Sequence, residues 1–300
     1  MFKLKIGYFF CGLTTGLILL FIFLTSLPDG KLHIVFCDVG QGDAAYIRFP
    51  DGRDMLVDGG PNDKVLGCLG KYMPFWDRAL DIVVLTHPQK DHMQGLLSVF
   101  ERYQIGYFVR SDITNTTEGH QKLMGLVKQR AIKEKFVTTG ERIVIGETAL
   151  NILWPTADQI VRMKPSFTSE VERDTSEVKN TLGASAGDFN DGSVVFWLRF
   201  GSFDALFTGD ALLREDFAGQ AVEGLEVLKV PHHGSKTGMS PDVLDRLHPQ
   251  LAVISVGKNS YGHPTPEILS GLANLGSRVL RTDQDGDIEV VSDGRSWRIE

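Results

Sequence analysis

The chain has 300 residues, of which 42% are hydrophobic and 23% are charged, and this composition excludes an intrinsically disordered protein. Its formal net charge of −7 excludes a protein that coats nucleic acid through its overall charge. The length allows one large domain or two small ones.

The first predicted element is an apolar helix. No charged residue occurs from Gly7 to Leu27, and this stretch is long enough to cross a bilayer as a helix. Lys3 and Lys5 precede it. By the positive-inside rule, the amino terminus then lies in the cytoplasm and everything after Asp29 lies outside it.

A cleaved signal peptide is the alternative interpretation of the same stretch. Residues 25–27 lack the small-x-small cleavage pattern, which favours an uncleaved anchor. We therefore predict a membrane anchor or signal segment in residues 1–30 and a folded domain in residues 31–300. That domain would be periplasmic or extracellular, and secreted if the first segment is removed.

The three cysteines do not form a disulfide framework, and Cys11 lies inside the apolar stretch. Cys37 and Cys68 can pair outside the cytoplasm. The sequence favours another interpretation, in which Cys37 is a buried strand residue, because it ends the apolar run at residues 33–36.

A β-meander is the next predicted unit, with a hairpin turn at residues 50–53 and Asp58-Gly59-Gly60 after its third strand. A helix at residues 64–71 then leads to another strand. The predicted strands of this part lie at residues 34–37, 44–49, 55–57 and 81–85.

The strand at residues 81–85 is followed directly by Thr86-His87-Pro88-Gln89-Lys90-Asp91-His92. Imidazole nitrogen and carboxylate oxygen suit Zn, Mn or Fe better than Mg or Ca. Apolar residues at helical spacing follow from Met93 to Tyr103, so Asp91 and His92 are predicted at the amino end of a helix. The sequence therefore predicts a strand that delivers metal ligands.

Residues 155–191 are rich in Ser, Thr, Asp, Glu and Lys, which is typical of a surface loop or lid, or of a disordered insertion. A second β-rich half follows, with strands at residues 194–200 and 203–208, a helix at 212–219 and two strand–helix units at 226–247 and 251–275. Two halves of this kind predict two sheets packed face to face with helices outside.

Three strands of the second half also end in residues that bind metals. They lead to Asp210, to the pair His232 and His233, and to His263. Together with the His87 cluster, four strand ends present such residues at one rim of the predicted sheets. This arrangement predicts a metal site between the two halves.

These residues, in this order, resemble the metal motifs of the metallo-β-lactamase-fold hydrolases. Within that superfamily, three motifs resemble the hydrolase domain of ComEC-type competence proteins: Asp38-Val39-Gly40-Gln41-Gly42-Asp43, Pro231-His232-His233-Gly234-Ser235 and Tyr261-Gly262-His263-Pro264. The resemblance covers residues 32–299. It implies an α/β fold of the four-layer αββα type, an active site at the rim between the sheets, and metal-dependent nuclease activity on incoming DNA.

The chain departs from the superfamily pattern His-x-His-x-Asp-His because Gln89 stands at the second histidine. A further histidine is expected before the Gly-Asp motif, where the chain has residues 190–193 (Asn-Asp-Gly-Ser). The first metal site, which would use His87, is therefore weakened. ComEC-type domains resemble this chain in often lacking first-site histidines.

The second metal site is complete, with Asp91, His92, Asp210 and either His232 or His233. Two carboxylates and few histidines favour Mn, with Zn as the alternative. Asp210 is the natural bridging ligand if a second ion binds through His87. Such an ion would activate water for hydrolysis of a phosphodiester, with Asp91 and Asp210 in catalytic positions.

The remaining candidates surround this site. His263 is predicted to protonate the leaving group or to hold the phosphate, and the alternatives are a residue that orients another or a turn histidine before Pro264. Asp58 is predicted to orient a ligand histidine, with a turn aspartate before two glycines as the alternative. The other candidates for supporting or substrate-binding roles are Asp38, Asp43, Gln89, Ser235 and Lys236, with a tight glycine turn as the alternative for Asp38 and Asp43.

Three functions remain open from the sequence. The first is an exported nuclease or phosphodiesterase that acts on DNA, with a separate membrane channel protein as a partner if it serves uptake. The second is a metallohydrolase of a small substrate such as a lactone, a β-lactam or a cyclic nucleotide. The third is a metal-binding module with little catalytic activity, which Gln89 supports.

Overall fold

The computed structural model describes residues 6–25, 27–163, 189–214, 217 and 223–300. The strands are β1 (Leu32–Phe36), β2 (Ala45–Arg48), β3 (Asp54–Val57), β4 (Ala79–Leu85), β5 (Gln104–Arg110), β6 (Lys133–Phe136), β7 (Arg142–Ile145), β8 (Thr148–Trp154), β9 (Val195–Phe200), β10 (Phe203–Phe207), β11 (Val227–Lys229), β12 (Leu251–Ile254), β13 (Arg278–Arg281), β14 (Ile288–Ser292) and β15 (Trp297–Ile299). The helices are α1 (Ile6–Thr25), α2 (Lys64–Tyr72), α3 (Lys90–Arg102), α4 (Glu118–Gln129), α5 (Ala157–Met163), α6 (Pro241–Leu247), α7 (Pro266–Asn274) and α8 (Thr282–Asp285).

The strands form two sheets. The first has the order β15-β14-β1-β2-β3-β4-β5-β6, and the second has the order β13-β12-β11-β10-β9-β8-β7. Each sheet combines an antiparallel meander with a parallel part, β3 to β6 in the first sheet and β10 to β13 in the second. Because parallel neighbours end at the same edge, β10, β11 and β12 deliver the residues that follow them to one rim.

Strand alternation builds the layers. In β1, Ile34 and Phe36 point between the sheets, while Val35 points to the opposite face and packs with residues of α2 and α3. A third cluster lies beneath α6 and α7 on the outer face of the second sheet. The helix–sheet–sheet–helix arrangement predicted from the sequence is therefore confirmed.

Some predicted boundaries differ from the structure. Helix α3 begins at Lys90, so Asp91 and His92 lie within its first turn. The segment predicted as a loop begins with α5 and ends with a 3₁₀ turn at Phe189–Gly192, while residues 164–188 lie outside the described residues. Of the helix predicted at residues 212–219, Leu213 instead forms a β-bridge with Met239, and several other residues are outside the described part.

Helix α1 has 20 residues, and its described side chains are exposed almost throughout. Within the part of the chain that the structure describes, no helix meets the length and hydropathy of a membrane span. The predicted transmembrane helix is therefore unconfirmed.

A disulfide joins Cys37, at the end of β1, to Cys68 in α2, with their Cα atoms 5.9 Å apart. Both residues are buried, at 1% and 5% exposure. The favoured interpretation of Cys37 as an unpaired strand residue was therefore wrong, although its burial was predicted. Sequence could not decide between the two, because the pairing depends on how α2 packs against the first sheet.

We expect the double substitution Cys37→Ser, Cys68→Ser to lower the free energy of unfolding by about 3–4 kcal/mol, because the bond closes a loop across a separation of 31 residues. Urea unfolding of the oxidised protein and the variant measures the difference. Wild-type protein treated with a reductant serves as the control and should lose a similar amount. A difference below about 1 kcal/mol would contradict the expected role of the bond.

Candidate metal centre

Four side chains meet at the rim between the sheets. Asp91, His92, Asp210 and His233 each offer a ligand atom, and these atoms all lie within 4.8 Å of one another. Asp91 and His92 follow β4 in the first sheet, whereas Asp210 and His233 follow β10 and β11 in the second. The structure thus brings together the set that the sequence assigns to the complete metal site.

Helix α3 is held against the loop after β3 by contacts between backbone atoms. The Gly59 N–H donates to the His92 carbonyl at 2.6 Å, and the Gly95 N–H donates to the Gly60 carbonyl at 3.0 Å. On its other side, the Asp43 N–H donates to the Asp91 carbonyl at 3.1 Å. These bonds fix the first turn of α3, and with it two of the four candidate ligands.

His92 is oriented by Asp58. Its Nδ1 lies 2.8 Å from Asp58 Oδ2, so the Nε2 atom faces Asp210 Oδ2 at 3.3 Å. Asp58 is itself fixed by Thr86, which donates its backbone N–H at 2.8 Å and its hydroxyl at 2.7 Å. The orienting contact predicted for Asp58 is therefore present, and it is the kind of contact that sets the tautomer of a metal-binding histidine.

His233 is aimed at the same point by a backbone carbonyl. Its Nδ1 donates to the Ser255 carbonyl at 2.8 Å, which leaves Nε2 at 3.3 Å from Asp210 Oδ2 and 3.4 Å from Asp91 Oδ2. His232 and His233 both have a left-handed backbone, with φ of 50° and 53°. This bend sends the two rings in different directions, so His233 joins the ligand group and His232 does not.

His87 lies beside the group but outside it. Its ring centroid is 4.1 Å from that of His92, and its Nδ1 is 3.2 Å from the Thr86 hydroxyl. Its Nε2 is buried and has no hydrogen-bond partner among the described residues. A buried nitrogen without a partner fits a coordinating role for His87. With the imidazoles and carboxylates of the four-residue group, the donors suit a borderline divalent ion.

Electrostatics in the centre favour cation binding. Burial lowers the pKa of His92, but the charges of neighbouring carboxylates, Asp210 first, outweigh burial and raise it well above its ordinary value. The pKa of His233 is raised well above its ordinary value by the same competition. Burial raises the pKa of Asp210, but the charges of His233 and His92 outweigh burial and hold it well below the usual range. Burial, with the charge of His92, lowers the pKa of His87 to about 3, so that imidazole is neutral.

The structure also shows a buried ion pair that the sequence analysis missed. Lys229 is 4% exposed and its ammonium forms an ion pair with Asp43, which is 5% exposed. The signal in the sequence was a lysine inside the apolar strand β11, whose neighbours Val227 and Leu228 are fully buried. A charge at such a position requires a partner, but sequence alone does not say which one.

The other predicted residues lie around the centre. His263 is half-buried, with its ring centroid 5.6 Å from that of His232. Asp38 accepts a hydrogen bond from the Gly40 N–H at 3.1 Å and so orders the glycine turn. Gly40 and Gly42 in that turn have positive φ, as expected for the tight glycine turn that was the alternative interpretation of Asp38 and Asp43.

Ser235 and Lys236 continue the chain beyond the histidine pair. The Ser235 hydroxyl lies 3.0 Å from that of Thr237, and Lys236 is exposed. Gln89 precedes α3 and lines a groove of about 400 Å³ beside Asp91. Of the four candidate ligands, Asp91 lines this groove.

Ion affinity should rise with pH. In the protein without an ion, the raised pKa values keep protons on His92 and His233 at neutral pH, and an ion must displace both. Below these raised values, affinity should fall by about 100-fold per pH unit, tenfold for each proton. Calorimetry with Mn²⁺ in buffers of different ionisation enthalpy should show release of two protons per ion at pH 7. An affinity independent of pH would contradict this expectation.

Comparisons with known proteins find relatives among competence proteins. ComE operon protein 3 of Bacillus subtilis is 26% identical, over 92% of this chain and 34% of that protein. Competence protein ComA of Neisseria gonorrhoeae is 35% identical, over 88% of this chain and 33% of that protein. The chain thus spans about a third of the length of these relatives.

Among solved structures, the metallo-beta-lactamase fold protein YhfI from Bacillus subtilis has a TM-score of 0.55 at 14% identity, covering 86% of this chain and 99% of that one. This likeness shows the fold. The model of the metallo-beta-lactamase superfamily matches residues 37–258, which is most of the chain. The chain therefore belongs to the metallo-beta-lactamase superfamily.

Proposed function

We propose that the protein is a metal-dependent phosphodiesterase that cleaves DNA outside the cytoplasm, in the service of DNA uptake. The single observation that carries the proposal is the group of four candidate ligands, Asp91, His92, Asp210 and His233, at the rim of a superfamily fold that implies metal-dependent hydrolysis. The competence-protein relatives support DNA as the substrate.

Two carboxylates and two imidazoles suit Mn²⁺ or Zn²⁺. A divalent ion held there would supply Lewis-acid chemistry, polarising a phosphoryl oxygen and making a bound water more acidic. The protein's own contribution is orientation. Asp58 and the Ser255 carbonyl hold the two imidazoles by their Nδ1 atoms, so that both Nε2 atoms stay aimed at one point.

His263 stands at the outer side of the centre, facing His232. Burial, together with the charges of His232 and His233, lowers the pKa of His263. A neutral imidazole is a poor proton donor to a leaving group but a good hydrogen-bond donor to a phosphate oxygen. Of the roles predicted for His263, we therefore propose that it holds the scissile phosphate.

The groove beside Asp91 is the proposed path of a DNA strand. Its lining includes Gln89, Lys90 and Asn115. Asn115 is fixed through its side-chain amide, which donates to the Pro88 carbonyl at 2.7 Å. Lys90 is exposed at the mouth, where an ammonium can meet a phosphate although the chain as a whole is acidic.

The test is cleavage of single- and double-stranded DNA by the full chain in detergent, with Mn²⁺ or Zn²⁺ added. We expect metal-dependent cleavage that His263→Asn reduces by about 10-fold or more, as for the loss of a hydrogen bond to a charged group. His248→Asn is the matched control, because His248 is exposed and has the left-handed backbone that Asn tolerates. If folded, metal-loaded protein leaves both forms of DNA intact, the proposed nuclease activity is contradicted.

A small-substrate metallohydrolase is the second candidate, favoured by the net charge of −7, which opposes a polyanion. Lactones, β-lactams and cyclic nucleotides belong in the same assay. Turnover of one of them without DNA cleavage would establish this candidate. If metal-loaded protein turns over none of these substrates, the third function, a metal-binding module with little catalytic activity, is favoured.

We also propose that residues 1–30 anchor the domain to a membrane, with residues 31–300 outside the cytoplasm. The disulfide between Cys37 and Cys68 supports an oxidising compartment. The ring of Phe23, near the end of α1, lies 5.5 Å from that of Trp76, an exposed aromatic of the kind found at membrane interfaces. Resistance to alkaline extraction and protease accessibility in spheroplasts would support the anchor, whereas a soluble cytoplasmic pool would contradict it.

A further inference from the structure

Two groups of possible ligands lie side by side in the centre. The first is the four-residue group at the rim. The second consists of Asp43, Asp58 and His92, whose atoms also lie within 4.8 Å of one another. The two groups share His92, which points Nε2 toward the first and Nδ1 toward the second. By donor type alone, each group could hold a cation.

The second group already contains a cation that belongs to the chain. Lys229 extends from β11 into the space between the sheets, where its ammonium pairs with Asp43 and donates to the Gly209 carbonyl at 2.9 Å. Its Nζ is 3.7 Å from Asp210 Oδ1. The side chain is 5% exposed, so bulk water does not screen these contacts.

The two oxygens of Asp210 therefore have different partners. Oδ2 lies 3.3 Å from Nε2 of both His92 and His233, and so faces the first group. Oδ1 faces the ammonium of Lys229. A carboxylate that bridges two ions needs both of its sides for metal, and here one side is engaged by the lysine.

We propose that Lys229 is a built-in cation of the metal centre. Its ammonium takes the place that a second divalent ion would take between Asp43 and Asp210, and it holds Asp210 so that Oδ2 faces the first group. The centre consequently binds one ion per chain. Lys229 is a positioning residue in this proposal, since it acts through Asp43 and Asp210.

Charge supports this arrangement. Four carboxylates, those of Asp43, Asp58, Asp91 and Asp210, lie within the two groups, and three of them are almost fully buried. Buried carboxylates require compensation by cations or hydrogen bonds. A single divalent ion would leave the carboxylates of the second group without a cation, and the ammonium of Lys229 supplies one there. The proposal rests on the metal centre of the proposed function but not on DNA as its substrate.

The test counts Mn²⁺ ions on the full chain by equilibrium dialysis and elemental analysis, without DNA. We expect one ion per wild-type chain at saturation. We expect two ions on Lys229→Ala, because the vacated space is lined by Asp43 and Asp210. Two ions on the wild type, or one ion of unchanged affinity on Lys229→Ala, would overturn the proposal. The ion count is made without nucleic acid, so a finding that the protein does not cleave DNA would not change the conclusion drawn from the count.

Lys229→Ala leaves buried carboxylates uncompensated, so it can fail to fold. The double variant Asp43→Asn, Lys229→Met removes both charges of the pair and keeps its volume. We expect this variant to bind one ion with at least about tenfold weaker affinity, which is the loss typical of removing an orienting contact. The reason is that Asp210 Oδ1 loses its partner, whereas the net charge of the protein is unchanged. Wild-type affinity in this variant, or a second ion, would overturn the role of Lys229.

Discussion

Asp210→Asn is expected to abolish both ion binding and hydrolysis. Asp210 Oδ2 lies 3.3 Å from the Nε2 atoms of both His92 and His233, so it is central to the ligand group. An amide keeps the shape of the side chain but coordinates metal poorly and cannot offset the charge of an ion. We expect Mn²⁺ affinity to fall by more than about 100-fold, beyond the loss typical of residues that only orient ligands.

Hydrolysis should fall at least about 10³-fold in the same variant, because an ion contributes several kcal/mol of transition-state stabilisation. Asp245→Asn is the matched control, since Asp245 is exposed on α6. It should keep wild-type affinity and rate. Calorimetric titration with Mn²⁺ and a cleavage assay measure the two effects, and circular dichroism checks the fold. Ion binding of wild-type strength by Asp210→Asn would show that the ion lies elsewhere.

Gly95→Ala in α3 should strongly lower the free energy of unfolding. A Cβ at Gly95 would lie 2.0 Å from the Gly59 carbonyl oxygen and 2.5 Å from that of Asn62. Both are backbone atoms of one loop, so neither can rotate away. We expect a loss of about 3 kcal/mol, at the upper end for overpacking, and weaker ion binding because α3 carries Asp91 and His92.

Gly125→Ala provides the matched control. Gly125 also lies inside a helix, α4, but a Cβ there meets no atom within 4 Å. Alanine should therefore stabilise the protein by up to about 1 kcal/mol through its better helix propensity. Urea unfolding of both variants without metal gives the comparison. If Gly95→Ala were stabilised like Gly125→Ala, the close packing of α3 on the loop would be contradicted.

Much of the fold could be predicted from sequence because the apolar pattern is regular. A short apolar run marks β1, and helical spacing of Met93, Leu96 and Phe100 marks α3. The ligand group could also be predicted, since each of its members belongs to a motif that directly follows an apolar run. Parallel strands place such motifs at a common edge within each sheet, and the predicted face-to-face packing of the two sheets brings the two pairs together.

The rest depends on features that sequence spacing does not record. The choice between His232 and His233 is made by two consecutive left-handed residues, which no single-residue preference predicts. The pairing of Lys229 with Asp43 joins opposite sheets. The disulfide depends in the same way on the position of α2 against the end of β1. In the last two cases the deciding quantity is a distance through the folded core.

The ligand group draws two members from each sheet, and this division has a consequence for biosynthesis. Asp91 and His92 leave the ribosome well before Asp210 and His233, so a growing chain first displays only half of the coordinating atoms. Half a set binds ions weakly and exchanges them quickly. An ion held by all four ligands would be retained only once the two sheets are stacked, so we expect metal loading to follow the synthesis and packing of both halves.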